Sequence, residues 1–119
     1  MINSIAVDQS KAFRDRLYVT WNDERSGRMQ VLLARSIDGG LTWSAPVVVN
    51  DDLPADPHDM AKGPHATAPW AVVNKDGVVG VMWLDRRDVP QNIGYKVLFA
   101  ASLDGGETFT PSMNVSEGR

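Results

Sequence analysis

One eight-residue phrase occurs twice in this chain. It reads SIDGGLTW at Ser36–Trp43 and returns as SLDGGETF at Ser102–Phe109. In both copies an aspartate precedes two glycines, and an aromatic residue ends the phrase. Glycine permits the positive φ angles of a sharp reversal, and an aspartate side chain accepts hydrogen bonds from the backbone N–H groups of such a turn. We therefore expect the phrase to be a structural turn that is used once in each of two repeated units.

The repetition extends upstream of the phrase. A Trp-x-Asp-x-Arg pattern recurs at one constant offset, first as Trp21, Asp23 and Arg25 and then as Trp83, Asp85 and Arg87. After this pattern, the separation between equivalent residues of the two units becomes larger. The cause is an insertion around VPQN in the second unit, where proline and asparagine indicate a loop. Repetition on this scale is typical of repeat architectures.

Each unit contains four segments with the residue pattern of a β-strand. Apolar, β-branched and aromatic residues predominate in them, and no window has the period of an amphipathic helix. The predicted strands a to d are Ile5–Asp8, Leu17–Asn22, Met29–Arg35 and Val47–Asn50, and then Ala71–Asn74, Val78–Leu84, Tyr95–Ala101 and Met113–Val115. We expect an all-β propeller fragment with two four-stranded antiparallel blades, each with the repeated turn between strands c and d. The first blade would span residues 1–50, the interblade loop 51–70 and the second blade 71–119.

The repeated phrase resembles the Asp-box, or bacterial neuraminidase (BNR) repeat, of the sialidase superfamily. The motif positions are Ser36, Asp38, Gly40, Thr42 and Trp43, and then Ser102, Asp104, Gly106, Thr108 and Phe109. The resemblance covers nearly the whole chain and implies about two blades of a six-bladed propeller similar to bacterial exo-α-sialidases. In that family the Asp-boxes are structural and lie on the face away from the active site.

The resemblance also implies a function. It points to a fragment of a sialidase-like glycoside hydrolase that acts on terminal sialic acid or related glycans. The R-I-P motif of that family is not found in this sequence, so we expect an incomplete active site and assign no catalytic residue. The alternative is a non-catalytic Asp-box propeller that binds glycans or proteins at its top face. Further blades would come from a longer chain or from self-assembly of copies into a ring.

Composition narrows the classes of partner. The chain has 119 residues and a net charge of −3, and the mixing of both signs argues against nucleic acid and against an acidic membrane surface. No apolar run is long enough to span a bilayer. The N-terminus lacks the features of a signal peptide, which leaves either a cytoplasmic chain or a missing true N-terminus. Cysteine is absent, which excludes disulfides and Cys-based zinc sites, and we expect no cofactor.

The direction of the strands predicts where a ligand would bind. If the repeated turns define the bottom of each blade, the end of each strand b and the interblade loop lie at the top. The candidate ligand-binding residues are the charged side chains and imidazoles expected there, namely Asp85, Arg86, Arg87, Asp88, His58 and His65. Arginine suits an acidic sugar because its planar fork binds a carboxylate through two parallel hydrogen bonds.

Two interpretations of the arginines remain open. Asp23–Arg25 and Asp85–Arg87 could be salt bridges that tie the loop after each strand b, which their repetition favours. Arg86 and Asp88 have no like-charged counterpart in the first unit, and they are the better candidates for ligand binding. The histidines of the interblade loop match no strong metal-binding pattern, so we predict no metal site.

Overall fold

The computed structural model describes residues 3–87 and 94–115. These residues form eight β-strands and one short 3₁₀ turn at Met60–Lys62. The strands are β1 (Ser4–Val7), β2 (Leu17–Asp23), β3 (Gln30–Ser36), β4 (Val47–Val48), β5 (Ala66–Val73), β6 (Val79–Asp85), β7 (Lys96–Ser102) and β8 (Met113–Asn114). No helix in the described part of the chain is long and apolar enough to cross a membrane.

The strands form two antiparallel sheets in chain order. Strands β1 to β4 form sheet 1, and strands β5 to β8 form sheet 2. Strand β2 pairs with β3 from Leu17↔Ser36 to Asp23↔Gln30, and β6 pairs with β7 in the same way from Val79↔Ser102 to Asp85↔Lys96. The prediction of an all-β chain with two four-stranded antiparallel sheets is therefore confirmed.

Strand β5 begins well before the start that its sequence pattern predicts. Strand β5 begins at Ala66 rather than at Ala71. Its pairing with β6 shifts register between Thr67 and Trp70, and Ala68 has a φ of 54° within this irregularity. A β-bulge accommodates an extra residue and tolerates proline, so Pro69 does not end the strand.

The two sheets stack face to face. The buried cluster unites Val79, Val81, Trp83, Leu98 and Ala100 of sheet 2 with Tyr18, Val31, Leu33 and Val49 on the sheet 1 side. In sheet 2 we call the side that carries Trp83 the front and the opposite side the back. In sheet 1 we call the side that carries Tyr18 the back and the opposite side the front, so that the front of sheet 2 packs on the back of sheet 1. Because side chains alternate along a strand, Trp21, the repeat counterpart of Trp83, lies on the front of sheet 1 and faces away from sheet 2.

The two repeated turns have the same hydrogen-bond pattern. In the first turn, the Ser36 hydroxyl accepts a bond from the Gly40 N–H at 2.8 Å and donates to the Asp38 carboxylate at 2.8 Å. The Thr42 N–H donates to Asp38 at 2.9 Å, and so does the Thr42 hydroxyl. In the second turn, Ser102, Asp104, Gly106 and Thr108 make the equivalent bonds.

The aromatic residues that end the two turns are packed differently. Phe109 packs against the buried cluster between the sheets, whereas Trp43 is 43% exposed. The burial of this aromatic residue therefore differs between the two turns. Sheet 1 covers the front of sheet 2, but no described strand packs on the front of sheet 1, where Val19, Leu32 and Ala34 in the centre are buried and the surrounding side chains are exposed.

We predict that the two turn aspartates produce a loss of stability in acid. Hydrogen bonds from the Thr42 hydroxyl, the Thr42 N–H and Ser36 lower the pKa of Asp38 to about 2. Those from the Thr108 hydroxyl and N–H lower the pKa of Asp104. A folded-state pKa below the unfolded value of 3.8 adds stability above pH 3.8, which is lost as pH falls through the folded pKa. The double variant Asp38→Asn/Asp104→Asn should therefore lose less stability than wild type between about pH 5 and pH 2.

Urea unfolding followed by tryptophan fluorescence at a series of pH values measures this difference in slope. The Asp59→Asn variant is the matched control, because it changes the same residue type in the connection between the sheets and leaves both turns intact. Parallel curves for wild type and the double variant would show that the turns do not carry the effect.

Candidate functional site

Four of the polar residues predicted for the top of the blades lie at one end of the two sheets, namely Asp85, Arg86, Arg87 and His65. Strand β2 ends at Asp23 and β6 ends at Asp85, at the edge opposite the repeated turns. The connection from β4 to β5 lies at the same end, because the Arg28 guanidinium binds Asp52 and the His65 ring binds the Met29 N–H. We call this end the top edge.

Asp85 is the centre of the polar contacts on the sheet 2 side of the top edge. It is fully buried. Its carboxylate accepts a hydrogen bond from the Trp83 indole N–H at 2.8 Å, from the Arg87 backbone N–H at 2.8 Å and from the Arg87 Nε at 2.9 Å. The Trp-x-Asp-x-Arg pattern is thus a local structure in which the aspartate holds the tryptophan ring and fixes the chain after the strand.

The same local structure occurs in sheet 1. Asp23 accepts hydrogen bonds from the Trp21 indole at 3.2 Å, from the Arg25 N–H at 2.8 Å and from the Arg25 Nε at 2.9 Å. The Arg25 backbone bond is the main cause of a lowered pKa at Asp23. The two copies differ in exposure, since the Arg25 side chain is 75% exposed and the Arg87 side chain only 21%.

Arg87 also joins the two halves of the chain. Its guanidinium lies 2.8 Å from the Asp51 carboxylate and 3.8 Å from that of Asp52, both of which belong to the connection after β4. Burial opposes the charge on Arg87, but the hydrogen bonds to Asp85 and Asp51 and the negative charges around it raise its pKa. Arg87 therefore has three carboxylate partners within the protein.

Asp51 has a further partner. Its carboxylate accepts hydrogen bonds at 2.8 Å from both the backbone N–H and the hydroxyl of Ser112, which lies just before β8. Burial opposes ionisation of Asp51, but these two bonds and the contact with Arg87 lower its pKa. Asp51 thus stays ionised and links the connection to sheet 2 at two places.

A buried ion pair at the top edge was not identified from the sequence. Arg28 and Asp52 lie 2.8 Å apart, and each side chain is 4% exposed. The Arg28 guanidinium also donates to the Pro64 carbonyl at 3.0 Å, and Asn50 donates to Asp52 at 2.7 Å. In the sequence, Arg28 comes before the apolar strand β3 and Asp52 comes after β4. This order alone does not predict that the two side chains meet.

His65 has a structural position. Its Nδ1 accepts a hydrogen bond from the Met29 N–H at 3.0 Å, so the proton of the neutral ring is on Nε2, which lies 3.2 Å from the Ala61 carbonyl. The His65 carbonyl accepts a bond from the Arg86 N–H at 3.1 Å. His65 thus connects the start of β3 to the end of β6.

The remaining predicted residues are placed as follows. His58 is exposed, and its backbone N–H donates to Asp56 at 2.9 Å. Arg86 is exposed at the top edge and is anchored through its backbone to His65. Asp88 lies outside the described residues. Among the residues that the structure describes, no three His, Cys, Asp or Glu side chains are grouped so that they could hold a metal ion.

A cleft of about 590 Å³ opens beside the top of sheet 1. Its volume lies in the range of small-molecule sites, and it is lined by Asn3, Trp21, Asn22, Asp23, Glu24 and Arg25. Trp21 and Asp23 lie on the front of sheet 1, however. On sheet 2 this front position is covered by the neighbouring sheet, so we interpret the cleft as an uncovered packing face rather than as a ligand site.

Comparison with known proteins identifies the fold. No protein-family model matches the chain, and no curated protein matches it. Among the solved structures, a Hadza microbial sialidase, Hz136, superposes with a TM-score of 0.75 over 96% of this chain at 16% sequence identity. The matched region is 25% of that sialidase, so the chain spans about a quarter of its length. The chain therefore has a sialidase-like β-propeller fold and corresponds to a portion of such a propeller.

We predict that the two arginines of the repeated pattern differ in their contribution to stability. Replacing Arg87 with alanine leaves Asp85 buried without its counter-charge, and removal of one partner from a buried pair should cost about 3 kcal/mol in the free energy of unfolding. Replacing Arg25 with alanine removes an exposed partner and should cost less than about 1 kcal/mol. Urea unfolding of the two variants and wild type measures both values, and equal losses would contradict a linking role for Arg87.

Proposed function

We propose that this chain is a section of a sialidase-like glycoside hydrolase propeller that acts on terminal sialic acid or related glycans. The observation that carries the proposal is the fold match to a microbial sialidase over 96% of the chain. Because the match covers a quarter of that protein, the section holds part of the active site at most. In this proposal the repeated turns are Asp-boxes, which stabilise each blade at the edge opposite the ligand.

The top edge supports a contact with an acidic sugar through Arg86. Arginine binds a carboxylate through two parallel hydrogen bonds, so arginine is the residue type that an acidic sugar requires at this edge. Arg86 is exposed, and its backbone is held by the His65 carbonyl. Arg87 is a weaker candidate for binding the sugar carboxylate, because the carboxylates of Asp85, Asp51 and Asp52 already surround its guanidinium.

A second function is favoured by the acid–base properties of the described residues. A general acid that works near neutral pH needs a raised carboxyl pKa. Each aspartate whose pKa shifts in the described ranges shifts downward, as at Asp23, Asp38, Asp51 and Asp104. These groups suit hydrogen-bond acceptance rather than proton donation. The alternative proposal is therefore a non-catalytic propeller that binds glycans or proteins at its top edge.

We expect the Arg86→Ala variant to bind free sialic acid about tenfold more weakly than wild type, because a charge-assisted hydrogen bond contributes roughly 1.5 kcal/mol or more. Titration of the chain with sialic acid, followed by NMR or calorimetry, measures the difference. Arg14→Ala is the matched control. It removes the same charge from an exposed residue in the turn before β2, at the opposite edge, and should leave the affinity unchanged.

A fluorogenic sialoside distinguishes the two functions. Hydrolysis by the complete propeller would favour the glycosidase, and binding without hydrolysis by the same complete propeller would favour the alternative. Equal affinities for wild type and Arg86→Ala would remove Arg86 from either proposal.

A further inference from the structure

Two apolar faces of the described structure are left uncovered, one at each end of the stack of sheets. On the front of sheet 1, Ile5 is 63% exposed, Val7 49%, Trp43 43% and Val48 48%. Large apolar side chains clustered on one side of a sheet indicate an interaction surface rather than ordinary surface variation.

The second uncovered face is the back of sheet 2. There Trp70 is 61% exposed, Val72 51%, Met82 40% and Met113 59%. These residues lie on one side of the sheet, since Trp70 pairs with Met82, which pairs with Phe99, which in turn pairs with Met113. The stack therefore has an apolar front at one end and an apolar back at the other.

The repeat shows what each uncovered face is shaped to contact. Ile5 occupies the position in sheet 1 that Ala71 occupies in sheet 2, because they pair with the repeat equivalents Val19 and Val81. Ala71 belongs to the buried cluster, against which Phe109, the counterpart of Trp43, also packs. The front of sheet 1 thus repeats the surface that the front of sheet 2 uses to bind the back of sheet 1.

We propose that a second copy of this chain covers these faces, with the front of sheet 1 in one copy packed on the back of sheet 2 in the next. One chain presents both halves of this contact, and the contact between its own two sheets is the template. A front cannot pair with another front in this way, so the assembly is head-to-tail and forms a closed ring if the rotation per copy closes.

The proposed contact relies more on apolar side chains than its template does. Between sheets 1 and 2, Arg16 donates to the Gly105 carbonyl at 2.9 Å and Arg35 to the Gly106 carbonyl at 3.4 Å. The repeat positions of these two arginines in sheet 2 are Val78 and Ala101. Substitution of a single apolar side chain by a charge should therefore be enough to disrupt the contact.

The test uses the 119-residue chain, without sugar, and light scattering coupled to size-exclusion chromatography. Wild type should have a mass that is a fixed multiple of 13.0 kDa across a wide range of concentrations. Val7→Arg, which blocks the front, and Val72→Arg, which blocks the back, should each run as a single chain. The control Leu53→Arg, at an 83% exposed position in the connection between the sheets, should keep the wild-type mass.

Mixing the two blocked variants provides the decisive arm. Each retains one intact face, and the two intact faces are complementary, so an equimolar mixture should form a heterodimer and stop there. Far-UV circular dichroism checks that each blocked variant is folded. If Val7→Arg or Val72→Arg does not give the wild-type spectrum, Val48→Lys on the front and Trp70→Lys on the back replace them. A monomeric wild type, or a mixture that stays monomeric, overturns the proposal. In that case other blades of a longer chain are the natural occupants, and the proposed function is unaffected.

Discussion

The structure depends on one contact, the packing of the front of sheet 2 on the back of sheet 1. Strand β3 shows why the contact is obligatory. Val31 and Leu33 face sheet 2, while Leu32 and Ala34 face the other side and are also apolar. A sheet that is apolar on both faces needs a layer on each side. The fold therefore grows by stacking, and each sheet is stable to the extent that its neighbours are present.

The repeated turns are nearly independent of that stacking. Their serine, aspartate, glycine and threonine make the same hydrogen bonds in both sheets, although the two turns have different surroundings. The burial of the aromatic residue does depend on stacking. Phe109 packs against the cluster between the two sheets, whereas Trp43 is 43% exposed. The motif thus combines a locally determined turn with a side chain whose burial depends on the next layer.

Local patterns in the sequence predicted most of the fold, because strand periodicity, glycine turns and repetition are local properties. The order of the strands, the position of the turns and the grouping of polar residues at the top edge follow from them, and apart from β5 the strand ends differ from the predicted ends by only one or two residues. The early start of β5 was missed because a bulge at Ala68 accommodates Pro69. The Arg28–Asp52 pair was missed because residues distant in sequence meet only after β4 has paired with β3. The hydrogen bond that the His65 ring accepts from the Met29 backbone N–H was also missed, because it too joins residues distant in sequence.

The Trp-x-Asp-x-Arg pattern shows why repetition alone does not identify a binding residue. In both sheets the aspartate holds the indole and the arginine, yet Arg25 is mostly exposed while Arg87 meets the carboxylates of the connection after β4. The conformation comes from the motif, and the role of the arginine comes from its neighbours. Where the two repeats have residues of different charge, the structure that they share does not require either residue. Arg86, opposite Glu24 in the first repeat, is such a position and lies exposed on the top edge. In the proposed function, recognition of a ligand is therefore assigned to Arg86, a position where the two repeats differ, rather than to a residue that they share.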